Sequence, residues 1–131
     1  MYSIEINKQH ALVEFSLDGV IRADEMLRFM NELKAATVSL AGTEMKVLVD
    51  VRTFRPASPE VAEMIRQLQA HGLKDGVKRV AELVDSQVVA LQLNRVARES
   101  GTDKILRRFS EAREARDWLI DGIERNVHEA A

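Results

Sequence analysis

A chain of 131 residues, 46% hydrophobic and 31% charged, is long enough to bury one core and too short to divide readily into two, which points to one globular domain over residues 1–131. Its 19 basic and 21 acidic residues leave a formal net charge of -2, which supplies no overall field for drawing the chain onto nucleic acid or anionic lipid. Cysteine is absent, which excludes disulfides, thiol nucleophiles and thiolate metal sites. Residues 2–21 hold two runs of two-residue period, Tyr2, Ile4, Ile6 and then Leu12, Val13, Phe15, Leu17, and the break at Asn7 to His10 predicts a hairpin. From Ala23 to about Thr37 the apolar residues Met26, Phe29, Met30 and Leu33 recur at helical spacing, with Asp24 and Glu25 favourably placed at the positive end of the helix dipole.

Gly42 and Thr43 break the chain before Val47, Leu48, Val49 and Val51, a continuous apolar run that predicts a central parallel strand covered on both faces. Ser58 and Pro59 make a helix start, because the serine oxygen can accept from free backbone N–H groups and proline at the first helical position loses no hydrogen bond. Val61, Met64, Ile65 and Leu68 predict that helix's buried face, and Gly72 its end. After the Asp75–Gly76 turn, Val77, Val80, Leu83 and Val84 predict another strand, and Asp85 or Ser86 the cap of a helix through Val89, Leu93, Val96 and Ala97 that stops at Gly101. Ile105, Leu106 and Phe109 predict a short last strand at an edge, where Arg107 and Arg108 are tolerated. Ser110 is the expected cap of the final helix, whose stripe is Ala112, Ala115, Leu119 and Ile123 with Trp118 at its border, and the chain from Asn126 is expected to fray. The order β-β-α-β-α-β-α-β-α implies an α/β fold with a mixed, mostly parallel five-stranded sheet and four helices.

Little in this chain points to catalysis. His10, His71 and His128 share no helical spacing, so no metal site is expected, and the scattered glycines form neither a dinucleotide-binding nor a Walker loop. No Gly-x-Ser-x-Gly elbow surrounds a serine, and with six aromatic residues no stacking platform for nucleic acid is evident. The N-terminal ten residues lack the basic-then-apolar order of a secretory signal and no apolar run is long enough to span a membrane, so a cytoplasmic protein without cofactor or membrane insertion is expected. The segment Val49 to Glu60 is more informative, since it runs from the C-terminal end of a central strand into a helix start, the edge where open parallel sheets usually bind. Asp50, Arg52, Arg55 and Ser58 lie in it, and Asp85 and Ser86 repeat the geometry at the next strand-to-helix junction. Ser58 is either a plain helix cap or also a hydroxyl whose phosphorylation would place charge beside free N–H donors.

The strand Lys46 to Arg52 leading to Ser58-Pro59-Glu60, and the ending Arg108-Phe109-Ser110-Glu111-Ala112 through Trp118-Leu119, resemble the SpoIIAA-like branch of the STAS superfamily, also described as STAS/SEC14-like, over roughly residues 2–122. The resemblance implies a non-catalytic regulatory or protein-interaction module, as in anti-sigma-factor antagonists, where a serine or threonine of an Asp-Ser-Ser-Gly type motif is phosphorylated. Here the loop reads Arg55-Pro56-Ala57-Ser58-Pro59-Glu60, without that aspartate and glycine, and either Ser58 or Pro59 stands at the phosphoacceptor place. A protein partner is therefore expected, and a homodimer is compatible with the sequence. The SEC14 side of the resemblance implies an alternative, a small carrier of an apolar or lipid-like ligand held between helix and sheet, suggested also by Met26, Met30 and Met64. A chain this short is expected to leave little interior for a cavity.

Overall fold

The computed structural model describes residues 1–122. Strands β1 (Tyr2–Asn7) and β2 (Leu12–Leu17) form an antiparallel hairpin through Lys8 to Ala11, and Ala11 adopts a left-handed backbone at φ 52°. There follow α1 (Ala23–Thr37), β3 (Lys46–Asp50), α2 (Pro59–Lys74), β4 (Arg79–Leu83), α3 (Gln87–Ser100), β5 (Leu106–Phe109) and α4 (Ala112–Asp121), with 3-10 turns at Val38–Leu40 and Thr102–Lys104. The five strands lie in the order β1-β2-β3-β4-β5, and every pairing after the hairpin is parallel. This is the α/β, mostly parallel sheet with four helices that the alternation of strands and helices predicts.

Because the strand order never reverses, right-handed crossovers put the connecting helices on one face of the sheet. There Val13, Leu17 and Val51 of the strands and loops meet Met26 and Phe29 of α1, Ile65 of α2, and Val89 and Leu93 of α3 in one buried cluster. On the opposite face α4 lays Ala115, Trp118 and Leu119 onto Leu12, Leu48, Ala81 and Leu83. The central strand β3 serves both layers, sending Val47 and Val49 to the first and Leu48 to the second, which explains its unbroken apolar run. Arg79 reaches from β4 to the end of α4 and donates from Nη1 to the carbonyls of Trp118 and Leu119 at 3.0 and 2.9 Å, adding to the Gly122 N–H that the Trp118 carbonyl already accepts.

Several local expectations are corrected. Helix α2 passes through Gly72 to Lys74, and the turn is made after it by Asp75 and Gly76, the latter at φ 89°. Strand β4 excludes Val77 and Val84, and β5 begins at Leu106 because Ile105 still belongs to the 3-10 turn geometry before it. Glu111, not Ser110, occupies the N-cap of α4, and its side chain makes no capping bond. Trp118 does not border the α4 stripe but is buried within it. Ile123 and the segment from Asn126, with His128, lie outside the described residues.

Candidate functional site

The C-terminal ends of β3 and β4 bring all six sequence-predicted residues to one edge of the sheet. Asp50 closes β3, and Arg52 folds back on it, donating from Nε to Oδ1 at 3.0 Å and from Nη2 to Oδ2 at 2.8 Å. The Arg52 backbone N–H adds a third bond to Oδ1 at 3.1 Å. These bonds hold the Asp50 carboxyl below its ordinary value, against the opposing effect of partial burial. Asp50 raises the Arg52 guanidinium in return, with smaller contributions from Asp85 and Glu111, so those two acids share the same edge.

The loop from Val51 to Ser58 is tied at several points. Its Thr53 carbonyl accepts from the Gly19 N–H at 2.8 Å, and the Arg55 N–H donates to the Gly19 carbonyl at 3.0 Å, a one-residue extension of the sheet. Gln92 of α3 grips Ala57 from both sides, accepting from its N–H and donating to its carbonyl, each at 2.7 Å. The Thr53 hydroxyl donates to Asp18. Ser58 ends the loop exposed, and its Oγ accepts from the Val61 N–H at 3.2 Å, while Pro59 fills the first helical position. Ser86, rather than Asp85, does the same for α3, accepting from the Val89 N–H at 3.3 Å. Arg55 and Asp85 are exposed beside these caps. The loops form a ridge on the side of the α1–α2–α3 layer, while on the α4 side Asp50, Arg52 and Leu83 reach the wall of a polar groove shared with Ala112 and Arg116.

A cavity does exist elsewhere, contrary to the expectation from chain length. It encloses about 130 Å³ between the sheet and the α1–α2–α3 layer, lined by Phe15, Phe29, Val49, Ile65, Leu68 and Leu93 among others. Its exposed lining residues, Lys34, His71 and Asp75, sit at the C-terminal ends of α1 and α2, so it opens at the N-terminal edge of the sheet, away from the loop ridge. Met26 is buried on its wall, whereas Met30 and Met64 pack only half-buried against the surrounding core.

Glu82 is the residue sequence reasoning missed. It lies in β4, 3% exposed, on the cavity wall, and its Oε1 accepts from Nε of Arg108 on β5 at 2.7 Å. Glu82 and Arg108 are register partners across the two strands, and Arg108 also donates to Asn94 of α3. Burial raises the Glu82 carboxyl above its ordinary value, and Arg108 offsets part of that rise. The available signal was an acid flanked by Ala81 and Leu83 inside a buried strand, followed by an arginine in the next strand.

The polar groove, of about 170 Å³, runs on the α4 face from β1 and β2 past Arg116 to Asp50 and Arg52. Arg116 closes it with a bidentate bond to Glu14 at 2.9 and 2.8 Å, and Ser3 and Ser16 share a hydrogen bond at 2.7 Å. Among the described residues no group of three or more histidines and carboxylates is placed to hold a metal ion, and no helix is long and apolar enough to cross a membrane.

Comparison with known proteins bears on the fold. No curated protein matches the chain in sequence. A crystal structure of an uncharacterized protein from the DUF3478 family with a SpoIIAA-like fold, from Shewanella loihica PV-4, superposes with a TM-score of 0.69 at 21% identity, covering 90% of this chain and 93% of that one. The SpoIIAA-like family profile matches residues 12–120, from the second strand of the hairpin to the last turn of α4, and the chain therefore belongs to the SpoIIAA-like family.

Proposed function

We propose that this chain is a non-catalytic interaction module of one domain, acting in the cytoplasm, that docks a protein partner through the ridge formed by Arg52, Arg55, Ser58, Asp85 and Ser86. Membership of the SpoIIAA-like family supports a regulatory or interaction role at the level of the family. The observation that carries the docking edge is the fixed loop: Gln92 and Gly19 hold Ala57 and Arg55 by their backbone groups, which fixes the loop while leaving the Arg55 side chain exposed. Pre-ordering lowers the entropy lost on association. Asp50 contributes by holding Arg52 in place, so its own charge is already matched. Ser58 adds a point of control, since a phosphate there would lie over the first turn of α2, where backbone N–H groups point outward. The test is affinity capture with the native chain and with the variant Arg55→Glu, Ser58→Glu. A partner retained by the first and lost by the second supports the reading, and identical recovery by both removes it.

The cavity favours a second reading, a carrier of a small apolar ligand between helix and sheet. A void of this size lined by aliphatic and aromatic side chains forgoes contacts that a ligand would restore. Native mass spectrometry of freshly purified protein checks it: a stoichiometric small-molecule adduct is expected, and its absence together with no uptake of added hydrophobic compounds counts against it.

A further inference from the structure

The two edges of the sheet differ in what they offer a further strand. Strand β5 has four residues, of which Arg107 and Arg108 are two, and charge of this kind keeps a second strand off an edge. Strand β1 has six, without proline or lysine and without a bulge in its register with β2, and among the described residues no strand lies beyond it. The ladder decides which of its backbone groups face outward. The Met1 amino group donates to the Asp18 carbonyl at 3.1 Å and the Asp18 N–H to the Met1 carbonyl at 2.8 Å, so these two residues form a bonded pair. Bonded pairs alternate along an antiparallel ladder, so Ser3 with Ser16 and Glu5 with Glu14 are bonded pairs too, and Tyr2, Ile4 and Ile6 turn their N–H and C=O groups away from β2. The side chains of the same three residues pack on the core yet stay half-buried, because the sheet ends beside them.

We propose that β1 pairs with β1 of a second copy of this chain, antiparallel about a twofold axis at Ile4, joining the two five-stranded sheets into one. The occupant follows from the fit of the strand to its own reverse. In this register Ile4 faces Ile4 of the second copy and Tyr2 faces Ile6, so every outward residue meets an outward residue and each bonded pair is complete. On the α1 face apolar side chains then lie against apolar ones, and on the α4 face Ser3 stands opposite Glu5, a hydroxyl against a carboxylate. The neighbouring register, centred on Glu5, sets that acid against its own copy and leaves Tyr2 without an outward partner in the strand. Six residues a side bury less than the roughly 800 Å² per partner of a standard interface, so the dimer is weak, with a Kd on the order of micromolar to hundreds of micromolar. Because the axis stands perpendicular to the sheet, the loop ridges of the two copies lie at opposite ends and both stay open.

Sedimentation velocity of the full chain over roughly 5 to 500 μM should show monomer giving way to dimer. Ser3 is exposed, so changes there leave the core alone. Ser3→Glu opposes like charges at both ends of the axis and should weaken dimerisation by about tenfold, whereas Ser3→Lys sets a base against Glu5 twice and should tighten it by about threefold or more. Hydrogen exchange on the native chain reads the pairing directly. The Ile4 and Ile6 amides should slow as concentration rises, while the Ser3 and Glu5 amides, bonded within the chain, start out slow. A chain that stays monomeric over the whole range leaves this edge to an extended segment of another protein and overturns the proposal. So does a dimer whose strength neither Ser3 variant alters and whose Ile4 and Ile6 amides exchange as fast as in the monomer, since it pairs through another surface. Should a variant fail to fold, the exchange measured on the native chain decides alone.

Discussion

The Ser58 hydroxyl meets a single N–H, that of Val61, and this bond defines what the residue does in the isolated chain. Ser58→Ala is therefore expected to lower stability by about 0.5 to 2 kcal/mol in urea titration, and Ser58→Asp, itself a good cap beside the positive helix end, to be nearly neutral. Equal stability of native and alanine forms would show that the cap carries no weight. Two carboxylates respond to pH with opposite sign. The folded value of Glu82 lies above the ordinary 4.5, so between those two values the folded state holds a proton the unfolded chain has released, and stability falls as pH rises through that window. Glu82→Gln cannot titrate and should abolish that fall. Asp50 is held below its ordinary 3.8, so its contribution is present above that value and is lost as pH drops through the lowered one. Asp50→Asn should remove this acid-side loss, and a pH series of unfolding free energies on the two variants checks both signs.

Among the elements, α3 joins both parts of the molecule: Ser86 starts it, Gln92 grips the loop before α2, Leu93 and Val96 fill the core, and Asn94 receives Arg108. Gly101 ends it in the left-handed region at φ 88°, a conformation in which any side chain crowds the following carbonyl. Gly101→Ala is expected to cost about 1 to 2 kcal/mol in thermal or urea unfolding, although its added carbon would sit at ordinary contact distance, 3.6 Å, from Leu73. No loss would mean that the helix end can relax without strain. Such elements were legible because their signals are local. Met26, Phe29 and Leu33 mark α1 by spacing, and Ser58-Pro59 and Gly101 mark helix ends by their own chemistry. Gly72 misled because its backbone stays out of the left-handed region that makes a glycine a stop, so the helix runs on to Lys74 and the left-handed turn falls to Gly76. Ser110 misled because a capping residue type does not by itself determine which of two adjacent positions begins the helix. Glu82 escaped notice because its meaning depends on register: only when β4 and β5 are aligned does Arg108 stand opposite it.

For the molecule as a whole, the gathering of the strand-to-helix loops at one sheet edge was legible since strand ends and helix starts alternate along the chain, whereas the cavity was not. Its volume depends on how far the helices stand from the sheet, a distance that no residue type encodes alone. Val49 lines this void on the central strand, and Val49→Ile adds one methylene to it. Filling should raise stability by about 0.5 to 2 kcal/mol, seen as a higher melting temperature. A loss of that order would show that the space is not accessible from β3. The unreversed strand order has a kinetic consequence. Each strand pairs with the one immediately before it in the chain, so the sheet can grow one strand at a time as residues leave the ribosome, with no early strand waiting for a distant partner. Helix α4 is the exception: it packs on β3 and β4, so Leu48, Ala81 and Leu83 stay uncovered until the final helix arrives. Docking of α4 thereby becomes the step that seals this face of the sheet, and the interval before it is when the nascent chain is most exposed to chaperone and protease.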